Sequence, residues 1–381
     1  MAGHPTPRRV TAVGHLTTVH PRRDVRILLK ECRSLAIAGY RVILIVADGK
    51  GAEVDGDVAI VDVGAASNRF NRMRCATRRV LEKALELELD ICHLHDPELI
   101  PIGLKLKRLG KRVIFDAHED VPKQLLSKPY LSAWVRRALS WGFGAYESWA
   151  CRQFDAIVAA TPFIRDKFLG INPLSVDVSN FPLLGELDTD IEWEDKCRQV
   201  CYVGGISAMR GVRELVAAME EVRSGARLQL CGSFSEPEVE ADVKQRPGWS
   251  AVDELGYLDR AAAREGVGRW GAGLGTLHPL PNYLDSQPIK MFEYMSAGIP
   301  VIASDFPLWR EIVVGSQCGL CVDPMNPHEI ARAIDLLVND PDRARRMGEN
   351  GRAAIRDRYN WSAEERKLLR LYGELPIETR A

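Results

Sequence analysis

Short runs of β-branched residues alternate with stretches of helical spacing along almost the whole chain, in two consecutive series. In the first, Val10–Gly14, Arg41–Ala47, Val58–Val63, Ile91–Leu94, Arg112–Asp116 and Ala156–Ala160 read as strands. Between them, Asp24–Gly39 and Asn71–Leu89 have helical spacing. The pattern stops at Asn180–Asp195, a polar stretch with Pro and Gly that reads as a linker. It resumes with strands at Gln199–Val203, Arg227–Cys231, Ala251–Leu255, Ala272–Thr276 and Val301–Ser304. Helices are expected at Val212–Val222, Arg260–Gly268 and Ile289–Ala297, and the remainder is mostly helical. Strand–helix alternation with apolar, β-branched strands requires parallel sheets covered on both faces. The expected fold is therefore α/β: two doubly wound, Rossmann-like domains, 1–185 and 196–355, with a cleft between them, and a closing segment 356–381. A length of 381 residues accommodates two such domains. Sheets of this kind bind ligands at the carboxyl ends of their strands.

Composition narrows the function classes. The net charge of −1 is unlike that of a dedicated nucleic-acid binder. It conceals an asymmetry: residues 1–190 hold 27 Lys+Arg against 23 Asp+Glu, and residues 191–381 hold 24 against 29. The basic half contains Arg22, Arg23 and Arg26, then Arg69, Arg72, Arg74, Arg78 and Arg79, either a solvated face or one that meets an anionic surface. The longest apolar candidate, Ser34 to Val46, is interrupted by Arg41 and is too short to span a bilayer. No secretory signal pattern opens the chain, and nine scattered cysteines fit a reducing compartment. The expected location is cytoplasmic.

The second series opens with Tyr202-Val-Gly204-Gly205-Ile-Ser-Ala-Met-Arg210-Gly211, a strand running through two glycines toward a helix. Glycines admit close backbone approach, a helix start favours an anion, and Arg210 can grip a phosphate through two N–H groups. A tight structural turn is the alternative. In Asp285-Ser-Gln-Pro288-Ile-Lys290-Met-Phe-Glu293, Pro288 starts a helix and Lys290 falls in its first turn. The helix dipole opposes a cation there, so a phosphate between Lys290 and the helix start gives it a reason. Glu293, one turn on, suits sugar hydroxyls. Both could instead be solvated surface.

In the first series, Asp116-Ala-His118-Glu119-Asp120 follows a strand directly, and His118 is placed to hydrogen-bond a ligand. Cys92-His93-Leu-His95-Asp96-Pro-Glu98 also ends a strand. His93, His95 and Asp96 can be read as metal ligands, but neither cysteines nor histidines show zinc spacing, so no metal is expected. Cys318-Gly-Leu-Cys321 is a single CxxC and reads as buried core.

Together these stretches resemble glycosyltransferase family 4, of the two-domain GT-B fold. The resemblance runs through His15, His95-Asp96-Pro-Glu, Asp116-Ala-His118-Glu119-Asp, Val203-Gly-Gly and Arg210-Gly. It continues through Pro288-Ile-Lys-Met-Phe-Glu-Tyr-Met-Ser-Ala-Gly-Ile-Pro, Trp309-Arg-Glu311 and Tyr359-Asn-Trp361. It implies a nucleotide-sugar donor, most commonly a UDP-sugar, on the second domain and an acceptor on the first. In that reading Glu293 binds the ribose, Gly204, Gly205, Arg210 and Lys290 lie at the diphosphate, and Gly256, Tyr257 and Leu258 lie at the base. His118 faces the transferred sugar, with Asp285 and Glu293 beside it, and His15, His95, Asp96 and Glu119 lie on the acceptor side. Two positions depart from the family: Asp285 stands where a glutamate is usual, and Gly205 stands where an arginine is usual. The resemblance further implies retention at the anomeric carbon without a metal cofactor, a last helix that crosses back to the first domain, and a role in bacterial surface-polysaccharide or glycoconjugate synthesis.

Lys123–Trp149 combines Trp134, Trp141 and Trp149 with Lys123, Lys128, Arg136 and Arg137. Such a segment is either a core helix with a basic outer face or a peripheral contact to an anionic membrane holding a lipid-linked acceptor. A nucleotide-sugar 2-epimerase of the same architecture and a non-catalytic sugar-nucleotide-binding protein are the rival functions. A nicotinamide enzyme is disfavoured by the lack of a strand–GxGxxG–helix unit.

Overall fold

The computed structural model describes residues 10–128, 131–187, 191, 193, 196–258 and 260–375. Residues 188–190, 192, 194 and 195 of the expected linker, Tyr130, and 376–381 of the closing segment lie outside the described residues. The chain divides into two compact units, Met1–Asn180 with Ala363–Ala381, and Phe181–Ser362.

The first unit holds an eight-stranded sheet in the order β3-β4-β2-β1-β5-β6-β7-β8. Its strands are β1 (Ala12–Leu16), β2 (Arg41–Val46), β3 (Glu53–Asp55), β4 (Val58–Asp62), β5 (Ile91–Leu94), β6 (Arg112–Ala117), β7 (Ala156–Ala159) and β8 (Ser175–Asp177). All pairings are parallel except β3 with β4, an antiparallel edge. The strand order reverses at β1, between β2 and β5, which makes the carboxyl ends of β1 and β5 the place where a crevice opens. His15 lies opposite His93 in that parallel register. Asp24 caps the next helix, accepting from the Arg26 and Ile27 N–H groups at 2.9 and 3.0 Å. This helix is wound as a π-helix over Val25–Cys32 before continuing as an α-helix over Arg33–Ile37. Its wide turns bury Arg26, Lys30 and Glu31 together.

The second unit holds a six-stranded parallel sheet in the order β11-β10-β9-β12-β13-β14. The strands are β9 (Cys197–Val203), β10 (Arg227–Cys231), β11 (Val252–Gly256), β12 (Trp270–Gly275), β13 (Val301–Ser304) and β14 (Gly319–Val322). The reversal falls between β9 and β12, so Gly204–Gly205 and Thr276 leave the sheet at its switch point. One core, with Val200, Leu215, Leu228, Leu274 and Ile334, covers one face, and Met291, Phe292, Tyr294, Val301 and Trp309 pack in another.

The Ala133–Cys151 helix buries only Glu147, Ala150 and Cys151. Reading it as a core helix therefore fails for most of its length. No described helix is long and apolar enough to cross a membrane.

Candidate active site

In the second unit, the expected phosphate residues meet around one turn. Gly204 adopts φ +127°, a conformation that L side chains rarely take, and a Cβ there would stand 3.3 Å from Lys290 Nζ. A Cβ on Gly205 would stand 2.7 Å from Arg210 Nη1, which donates to the Gly205 carbonyl at 3.0 Å. The Tyr202 hydroxyl donates to the same carbonyl at 2.9 Å. Absent side chains at 204 and 205 thus let the main chain run directly beneath two cations.

Lys290 lies on the Ile289–Ser296 helix, which follows Pro288. Its Nζ is buried and makes no hydrogen bond among the described residues. Burial pushes its pKa well below the usual lysine value, and the Arg210 charge pushes the same way, against Glu293. An anion between Arg210 and Lys290 would relieve both penalties. Thr276 Oγ1, at the end of β12, and Gln287 Oε1 are also buried without hydrogen bonds.

Two aromatic side chains fix this arrangement. The Val203 N–H donates to the Tyr294 hydroxyl at 3.0 Å, locking the Lys290 helix to the end of β9. Trp309, fully buried, donates from Nε1 to the Ser286 carbonyl at 2.7 Å and holds the segment leading to Lys290. Tyr202, Tyr294, Trp309 and Thr276 received no role in the sequence reading. Tyr202, Tyr294 and Trp309 lie inside motifs that the sequence singles out, whereas nothing in the local pattern marks Thr276. Glu293 and Asp285 are half-buried on this helix and the segment before it. Gly256 ends β11, which is separated from β9 by β10, and Tyr257 and Leu258 follow it. Tyr257 is exposed, and Leu258 packs partly on the core.

In the first unit, the expected residues converge on the end of β6. His118 Nε2 lies 3.0 Å from Asp116 Oδ2 and 3.2 Å from His95 Nδ1, and its side chain is partly exposed. Asp116 is buried, which by itself would raise its pKa. Arg26, through Nε at 3.0 Å and Nη2 at 2.9 Å, and His118 instead hold it well below the usual carboxylate value. Burial drives His15 and His93 well below the ordinary imidazole value and His95 to about 4. His15, His95 and Asp96 are all buried. Asp96 accepts from the Thr17 hydroxyl at 3.0 Å and from the Thr18 and Val19 N–H groups, tying down the loop after β1. Glu119 accepts from the Gln124 side-chain amide at the surface.

Comparison with known proteins matches residues 25–176 to the family described as Glycosyltransferase Family 4 and residues 186–354 to Glycosyl transferases group 1. The chain is 22% identical over 313 residues to a glycogen synthase of Mycobacterium tuberculosis, covering 72% of this chain and 73% of that protein. Its fold resembles sucrose-phosphate synthase from Thermosynechococcus elongatus, with a TM-score of 0.77, 17% identity, and coverage of 96% and 98% of the two chains. It also resembles Anabaena HepE, solved in complex with UDP-glucose, with a TM-score of 0.72, 12% identity, and coverage of 96% and 100%. With two doubly wound units and both family matches in chain order, the protein is a hexosyltransferase of the GT-B fold and belongs to the glycosyltransferase family 4 type.

Proposed function

We propose that the protein transfers a sugar, with retention, from a UDP-sugar to a glycan or lipid-linked acceptor in bacterial surface-polysaccharide or glycoconjugate synthesis. The observation that carries this reading is the Gly204–Gly205 turn running beneath Arg210 and the unpartnered Lys290. These cations offset the charge that develops on a departing diphosphate, which is where such a transfer needs help. The UDP-glucose complex of HepE supports the donor class. Glu293 takes the ribose, Asp285 and His118 face the sugar, and the 256–258 loop receives the base. The carboxyl edge of the first sheet, with His118 and Glu119 over buried His15, His95 and Asp96, takes the acceptor. With no second carboxylate assigned as nucleophile, attack comes from the front face, and the leaving phosphate accepts the acceptor's proton.

A thermal-shift screen of nucleotides and nucleotide sugars, followed by NMR of the product anomer, tests this reading. Selective stabilisation by one UDP-sugar and an axial-to-axial outcome are expected. Donor epimerisation without acceptor, or no nucleotide effect, would overturn it.

The same reading places the protein peripherally on the inner face of the membrane. Trp134, Ala138, Trp141, Ala145 and Trp149 form an exposed stripe along the Ala133–Cys151 helix, with Trp134 and Trp141 74% and 79% exposed. Glu147, the helix's one acidic residue, is buried against Lys167, whereas Arg137 is exposed beside the stripe. Trp rings and arginines suit an anionic lipid interface. Co-flotation with phosphatidylglycerol vesicles at low salt, lost in W134S/W141S, is the expected result. Failure of the wild type to float would remove the membrane from the proposal.

A further inference from the structure

The switch point of the first sheet gathers more imidazole than the transfer reaction uses. His15 on β1 faces His93 on β5 in parallel register, and His95 lies two residues beyond His93 on the same face. The π-helical turn lays Glu31 across them. Each of the four offers one ligand atom, and these atoms all lie within 4.8 Å of one another. All four side chains are buried.

The spacing is that of a coordination shell slightly collapsed on itself. His15 Nδ1 and His95 Nε2 share a hydrogen bond at 2.8 Å, which a bound ion would replace, and Glu31 Oε2 is 3.8 and 4.0 Å from those two atoms. These separations bracket the roughly 3.3 Å edge of a tetrahedron built on zinc–nitrogen distances of about 2.0–2.1 Å. His93 Nε2 and both Glu31 oxygens are buried yet make no hydrogen bond among the described residues, although Arg26 Nε lies 3.0 Å from Oε1. Orphaned buried polar atoms are costly and call for a partner.

Two of the three histidines have the outer partners that a metal shell uses, whereas His15 Nε2 is buried without a hydrogen bond among the described residues. His93 Nδ1 is 2.9 Å from the Tyr372 hydroxyl, and His95 Nδ1 is 3.2 Å from Asp116 Oδ2. Asp116 is itself clamped by Arg26. Ligating histidines characteristically engage their second nitrogen in this way, which fixes the ring's orientation. The adjoining trio His95, Asp116 and His118 is also compact, but it holds no orphaned buried side-chain atom.

We propose that His15, Glu31, His93 and His95 form a closed binding site for one divalent transition-metal ion, zinc by ligand type and geometry, which staples β1, β5 and the Val25–Cys32 helix. Because the four ligands are buried, the ion is structural and touches no substrate. The site is independent of the donor assignment.

The test uses the full-length protein purified without a histidine tag or chelator. Elemental analysis is expected to find about one zinc per chain, falling at least about fivefold in E31Q and H93Q. Exhaustive chelation is expected to lower Tm, and added Zn²⁺ to restore it. Replacement by Co²⁺ is expected to give the intense visible bands of four-coordinate cobalt. This measurement on the wild type decides the matter should the variants fail to fold. A metal-free folded protein that takes up neither Zn²⁺ nor Co²⁺ would overturn the proposal. So would a bound ion retained in E31Q and H93Q, or cobalt bands absent from the wild type.

Discussion

Lys290 Nζ lies 3.5 Å from the centroid of the Tyr202 ring. The ring's negative face and the Glu293 charge compensate the ammonium in part, and together they are weaker than the hydration lost on burial. In the proposed reading, a bound anion makes good that deficit and restores the ammonium.

Replacing Lys290 by Met separates stability from catalysis. The thioether side chain fills the same space without an unpaired charge, so Tm should hold or rise, by about 2–4 °C for each kcal/mol gained. Transfer should fall about 10²–10³-fold, the usual cost of losing one charge-stabilising donor. Calorimetry and initial rates on one preparation check both halves.

Donor binding should take up a proton. The folded Lys290 pKa is well below 10.5, so between the two values the unfolded chain binds more protons and the empty protein gains stability as pH rises. A diphosphate favours the ammonium and reverses that preference. UDP affinity should consequently weaken as pH rises between the amine's pKa in the empty protein and its higher pKa in the complex, and titration calorimetry in buffers of different ionisation enthalpy should register proton uptake there. K290M should abolish it.

Gly204→Ala should damage the donor site far more than the fold. The new methyl would meet Lys290 Nζ at 3.3 Å from a backbone at φ +127°. We expect at least about a tenfold rise in donor KM and a loss of about 1–2 kcal/mol of stability, read by steady-state kinetics and urea unfolding.

Trp309→Phe retains most of the packing but removes the donor to the Ser286 carbonyl. A buried carbonyl left unpaired costs about 1–3 kcal/mol. Because Ser286 lies next to Asp285 and just before Lys290, donor KM should rise together with the loss of stability. An unchanged KM in a destabilised variant would restrict Trp309 to the core.

Much of this architecture was readable where a strand is apolar on both faces. Ile91–Leu94, Arg227–Cys231 and Val301–Ser304 fall where their short, mainly apolar runs place them. Glu53–Asp55 and Ser175–Asp177 are three-residue strands of mixed polarity at the sheet edge, with no run long enough to show a period. Gly319–Val322 overlaps Cys318–Cys321, whose pattern suggests buried core but no strand. Lys290 was legible as a cation opposed by a helix dipole. The histidine cluster was not, because its members come from β1, β5 and a π-helix, and spacing along the chain says nothing about register between strands. Arg22 and Arg26, expected on an exposed basic face, are instead buried. Arg26 lies against Asp116 and Glu31 because a π-turn changes which residues share a face, and Glu31 carried no signal for the same reason.

The last helix, Trp361–Glu374, begins in one unit and finishes in the other, where Tyr372 reaches His93. Glu364 in the same helix accepts from the Ser179 N–H at 2.8 Å. The first half to leave the ribosome must therefore wait, with its central histidine uncovered, until the second half has been made. Order of synthesis and order of completion are opposed in this chain, and a nascent chain arrested before residue 363 should be more sensitive to protease in its first unit than in its second.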